Sequence, residues 1–155
     1  MKRVFILLCF CLLLGCKSKK PDNKLVEVAW TKVPVALVND NQKKSLSAIG
    51  TQLLLICNTS KFTPLTEKEA TPAVIKNMTV DRMTKTCLKF RLKYGDFKEL
   101  KWVETYQNNQ DKNLIYRFKA LYKKKIANKE LRITVDENQL ISAINSKDWT
   151  DKFQK

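Results

Sequence analysis

Arg117, Lys119 and Lys123 hold odd positions in the stretch "LIYRFKALYKK" (residues 114–124), and Arg132 follows in "LRITV". In extended chain alternate side chains point to one face. These four cations are therefore expected to project from one side of neighbouring strands, near Lys124 and Lys125 at a turn. Such a face can grip an anionic polymer or phospholipid headgroups. The competing expectation is the solvated face of a sheet buried on its other side, where lysine also discourages edge pairing. The sequence favours the second.

Other chemistry is sparse. The chain has no histidine, which removes the commonest general base, the commonest zinc ligand and every nucleophile paired with an imidazole. After Gly15 only Gly50 and Gly95 remain, too scattered for a phosphate-cradling loop, so neither a nucleotide nor any other cofactor is expected, nor a metal site. Asp136 and Glu137 are adjacent, point to opposite faces of a strand and sit in "DENQ", where turn formation is the stronger explanation. No catalytic set emerges, and no enzyme is expected. Cys57 and Cys87 each fall on the apolar side of an expected helix. They are either a disulfide between two helices or two small buried hydrophobes, and the second is favoured. Trp30, Trp102 and Trp149 fall on apolar parity or at element ends and read as core anchors.

Lys plus Arg number 30 against 15 Asp plus Glu, a net charge of +15 spread along the whole chain. A basic balance attracts polyanions, but a diffuse one also simply keeps a protein soluble, and no nucleic-acid partner is expected.

The elements that must position these residues come in two blocks. Residues 25–38 are apolar but interrupted by Pro34 and read as an irregular lead-in or edge segment. Asn39 or Asp40 caps a helix in which Leu46, Ile49, Leu53, Ile56 and Cys57 recur at spacings of three and four. Residues 59–72 hold two prolines and read as a loop with at most a short turn of helix. Thr79 starts a second helix with Val80, Met83, Cys87, Phe90 and Tyr94 on one face, and Gly95 ends it. The period then changes to alternation. Leu100, Trp102 and Tyr106 share parity in one strand; Tyr116, Phe118, Ala120 and Tyr122 in the next; Leu131, Ile133 and Val135 in a third; residues 140–145 form a fourth. The expected fold is α+β: two N-terminal helices packed on one face of a four-stranded antiparallel meander.

The N-terminus carries a different message. Lys2 and Arg3 precede the apolar run "VFILLCFCLLL", too short to cross a bilayer as a permanent helix, and an export leader is expected over residues 1–15. Its end, Leu13-Leu14-Gly15-Cys16, resembles the bacterial lipobox: a branched apolar residue, a small residue at the cut, then cysteine. The resemblance implies cleavage before Cys16, a diacylglycerol on its thiol, and attachment of the mature chain to a membrane of the bacterial cell envelope. Two or three acyl chains hold a soluble domain where one is marginal. Residues 16–24 then read as the lipidated cysteine and a polar tether, and residues 25–155 as one domain. Cys9 and Cys11 lie in the leader.

The order of elements resembles the small cystatin-like and nuclear-transport-factor-two-like α+β domains of exported bacterial proteins. The resemblance rests on "KYGDFKELKWVETY" (93–106) and on "YRFKALYKKKIANKELRITVDENQLISAINSKDW" (116–149). It implies a cone-shaped sheet around the helices. Catalytic members place an Asp-His pair in the cone, which this chain cannot reproduce, and cystatin inhibitors carry a Gln-x-Val-x-Gly loop that "TYQNNQDKN" lacks. The implied role is a non-catalytic binding or accessory module. Its partners would be the membrane, through the N-terminal lipid, and either an anionic polymer or an envelope protein.

Overall fold

A computed structural model describes residues 29–124 and 128–154. The leader, Cys16, the whole tether and Lys125 lie outside the described residues. The chain forms β1 (Trp30–Lys32), a 3-10 turn (Val35–Leu37), α1 (Asp40–Thr59), α2 (Pro72–Asn77), α3 (Val80–Tyr94), β2 (Phe97–Asn108), β3 (Leu114–Tyr122), β4 (Lys129–Val135) and β5 (Ile141–Asp148). The fold is α+β, with five strands among the described residues where four were expected and three α-helices where two were. The five strands lie in sequence order and pair antiparallel throughout.

Both additions have local causes. Pro34 stops the lead-in from extending, but the three residues of β1 still pair with the far end of β2, Trp30 opposite Asn108 and Lys32 opposite Tyr106. An edge strand that short tolerates a nearby proline. The extra helix α2 begins with Pro72 at its first turn, where the missing N–H costs nothing.

Capping follows the sequence closely. The Asn39 side chain accepts from the Gln42 N–H to start α1, and Thr79 accepts from Arg82 to start α3. Gly95 closes α3 with φ 75° and ψ −161°, a conformation that a Cβ disfavours.

Helix α1 lies across the inner face of the sheet. Gly50 lets it approach: a Cβ there would come within 2.8 Å of a Leu100 methyl and 3.0 Å of one on Leu131. The core beneath holds Leu46, Tyr116, Phe118, Leu131, Ile133, Val135 and Ile141, all buried. A second cluster joins Leu53, Ile56 and Cys57 of α1 to Cys87 of α3. There the two cysteines are bonded as a disulfide, their Cα atoms 4.6 Å apart. The sequence leaned toward two separate buried thiols. The packing makes them both buried and bonded, because α1 and α3 meet with these positions face to face, within bridging reach.

One register feature decides the rest. Between Trp102 and Glu104 strand β2 shifts register, so Trp102 opposes Phe118 while Thr105 opposes Tyr116. An inserted residue of this kind reverses which side chains face the core. Leu100 and Trp102 stay with the inner face, as their parity predicts. Tyr106, opposite Ile115, is carried to the outer face with Glu104.

Candidate functional site: the outer face of the sheet

The outer face gathers the cations that the sequence singled out, though not as an open surface. Arg117 faces Glu104 on β2 and Arg132 on β4, and Lys119 faces Glu130 on β4. Two guanidiniums directly opposite each other would repel. The Glu130 carboxylate prevents this. Arg117 reaches its Oε2 from Nη2 at 2.6 Å and from Nε at 2.7 Å, and Arg132 donates from Nε to its Oε1. On the other side Arg117 Nη1 donates to Glu104 Oε1 at 2.6 Å, and Lys32 Nζ lies 2.8 Å from Glu104 Oε2. The charges therefore alternate across four strands: Lys32, Glu104, Arg117, Glu130, Arg132. Each of the four carboxylate oxygens faces a cation.

The ladder is dry. The side chains of Arg117 and Glu130 are 0% and 1% exposed, and those of Glu104 and Arg132 are 9% and 7%. What covers it is the chain after β5. The Trp149 backbone N–H donates to the Asn128 carbonyl, and its ring lies 4.2 Å from the Arg117 guanidinium carbon and 4.8 Å from Lys119 Nζ. The Thr150 carbonyl accepts from Arg117 Nη2. Phe153 stacks on Tyr106 with centroids 4.0 Å apart and planes 17° apart, and Arg132 lies 4.6 Å from the same ring. This tail crosses from β5 to β2 as a strap whose two aromatic rings sit on the two guanidiniums, a cation–π arrangement strengthened by desolvation.

Electrostatics match the geometry. Burial alone would push the Glu104 carboxyl up, but the hydrogen bonds and charges of Lys32 and Arg117 hold it below its ordinary 4.5. Burial likewise works against the Arg117 charge, and Glu104 and Glu130 overcome it, raising its pKa further above neutrality. Every carboxylate in the ladder is thus an ion-paired acceptor, and what the arrangement does chemically is hold four strands and a tail together.

This corrects the expectation of a solvated basic face. Arg117 and Arg132 are buried and neutralised by acidic neighbours, Lys119 is half-buried against Trp149, and only Lys123, just beyond the end of β3, is exposed. An anionic ligand meets two of the four cations at most. Sequence reasoning missed Glu104, Glu130 and Phe153. Glu130 had a signal, since in "KELRI" it shares outward parity with Arg132; Glu104 had none, because the β2 register shift puts it there. Trp149 was expected as a core anchor, and it anchors the outer side of the sheet.

The opposite end of the sheet holds a second cluster. Phe90, Tyr94, Phe97 and Tyr122 pack edge to face, with Lys129 Nζ 5.2 Å from the Tyr94 ring and 2.8 Å from Asp148 Oδ1. Burial and the neighbouring Tyr94 push the Tyr122 hydroxyl far above its ordinary range, which keeps it neutral. Among the described residues no group of three or more His, Cys, Asp or Glu side chains could hold a metal ion. No helix among them is long and apolar enough to cross a membrane. No family model, curated protein or solved structure matches the chain.

Proposed function

We propose that the chain is a lipid-anchored protein of the bacterial cell envelope whose α+β domain is a non-catalytic binding or accessory module, built like a cystatin-like cone of sheet around helices. The observation that carries this is the sequence at the N-terminus: Lys2 and Arg3, an apolar run, then Leu13-Leu14-Gly15-Cys16 in that order. The Cys57–Cys87 disulfide supports it, because such bonds persist in oxidising compartments outside the cytosol. The non-catalytic part is supported by the ladder, whose carboxylates are paired and covered and so poorly placed for proton transfer.

Growth with an alkyne analogue of palmitate, followed by fluorophore coupling, tests the anchor. The wild-type chain is expected to take the label and to partition with membranes, and Cys16→Ser to lose the label. An unlabelled wild-type chain that is exported normally overturns the proposal.

A further inference from the structure

With the inner face of the sheet under α1 and the outer face under the strap, the apolar residues left in the open lie mostly on the helices. Leu88 and Leu92 of α3 are 63% and 71% exposed, and Val80 at its start is 61% exposed. They are not scattered. Cys87 and Tyr94 point into the fold, which turns Leu88 and Leu92, four residues apart, outward one above the other. Around them stand the exposed cations Lys85, Lys89 and Arg91, and across Gly95 come Lys123 and Lys124. Leu88, Arg91, Leu92, Lys123 and Lys124, with Asp96 among them, line one shallow depression of about 520 Å³. The acids nearby are Asp81, 2.9 Å from Lys85, and Asp96, 3.8 Å from Arg91. The face remains strongly positive.

We infer that this face of α3, with Lys123 and Lys124, docks on an anionic lipid surface. Leucines standing out of a helix and ringed by lysine and arginine are the pattern of helices that lie in a membrane interface, the apolar residues entering between headgroups and the cations meeting their phosphates. The inference rests on the reading of Cys16 as the lipid-bearing residue. The thirteen peptide steps from Cys16 to Ala29 span at most about 45 Å, and Ala29 sits beside Asn109, at the end of β2 away from Gly95 and Lys123, so the anchor holds the domain within reach of the bilayer and leaves it free to turn α3 toward the lipid. At that effective concentration a small patch suffices.

The test uses the purified full chain with vesicles of phosphatidylcholine alone or mixed with phosphatidylglycerol, and reads acetylation of individual lysines by mass spectrometry. On anionic vesicles Lys85, Lys89, Lys123 and Lys124 are expected to react at least about threefold more slowly than on neutral ones, with Lys44, Lys68 and Lys112 unchanged. Leu88→Ser with Leu92→Ser, at positions too exposed to matter for folding, and separately Lys85→Glu with Lys89→Glu, are expected to abolish the difference at the remaining lysines. Equal reactivity on both vesicles overturns the inference. So does protection that appears without vesicles and grows with protein concentration, which would mean that a second copy covers the face. The mass of the Cys16 peptide reads the anchor separately: acyl chains with unprotected lysines leave the anchor standing and refute the surface, while protection without acyl chains supports the surface and refutes the anchor.

Discussion

Replacing Arg117 with methionine tests the physics of the outer face most directly. The side chain is wholly buried and holds Glu104, Glu130 and the Thr150 carbonyl together. Methionine fills most of the volume without charge. Glu104 is then left with Lys32, whose side chain is 59% exposed, and Glu130 with Arg132. Removing one partner of a buried pair costs about 3–5 kcal/mol, because the remaining charge has been taken out of water without its counter-charge. A domain of this size is stable by about 5–15 kcal/mol and loses roughly 3–5 °C in Tm per kcal/mol, so thermal unfolding followed by circular dichroism should shift down by about 10–20 °C near neutral pH.

The pH dependence separates charge from packing. In the native chain Glu104 is held below 4.5, so its contribution is full above its unfolded value and disappears as pH falls through the lower folded one. In Arg117→Met the Glu104 carboxyl stays covered but loses one of the two cations that hold it down, so it rises and protonation relieves the folded state. The deficit relative to the native chain should therefore shrink as pH falls from about 7 to about 4.5. Adding Glu104→Gln and Glu130→Gln to the same background should restore part of the lost stability at neutral pH. A deficit that is the same at both pH values, or a triple variant less stable than the single, would refute the electrostatic reasoning and leave a packing defect.

Three further outcomes follow from the geometry. Reducing the Cys57–Cys87 bond, or replacing both residues with alanine, releases a loop of 30 residues and should cost about 3–4 kcal/mol, read in urea melts with and without reductant. Gly95→Ala forces a Cβ into φ 75°, ψ −161°, against Lys123 Cβ at 3.3 Å, and should cost about 1–3 kcal/mol, whereas Thr63→Ala in an exposed loop should be silent. Phe153→Ala removes the ring that stacks on Tyr106 and Arg132; it should cost about 1–2 kcal/mol and raise amide exchange along the outer edge of β2 before the core opens.

Helix caps and strand parity were legible because they depend on neighbours a few residues apart. Asn39, Thr79 and Gly95 act where their types predict, and Tyr116, Phe118, Ala120 and Tyr122 face the core together. Two kinds of feature were not legible. The register shift at Trp102/Glu104 has no residue signature, and it carries Tyr106 away from the parity it shares with Leu100 and Trp102. Burial of Arg117 depends on the tail returning over the sheet, a contact 33 residues distant in sequence that alternation cannot reveal. A basic residue on outward parity reads as solvated unless something is known to cover it. Here Trp149 and Phe153, which look like residues closing a core, close the other side of the sheet.

That second cover changes where recognition can happen. A meander with helices on one face ordinarily offers its bare face to partners, and the four cations made that face attractive. The ladder removes it in two ways at once: two carboxylates offset all but one of its three positive charges, and the strap covers the two guanidiniums. Opening it would lift Trp149 and Phe153 off the two guanidiniums and break the hydrogen bond from Arg117 to the Thr150 carbonyl, so a polyanion would have to replace those contacts before it gained any of its own. The exposed lysines of the helices, and the leucines between them, face no such penalty. They are already solvated, so binding there desolvates little and gains apolar burial. If the domain meets an anionic partner, the physics directs it to α3 and the end of β3 and away from the strands on which the cations first drew notice.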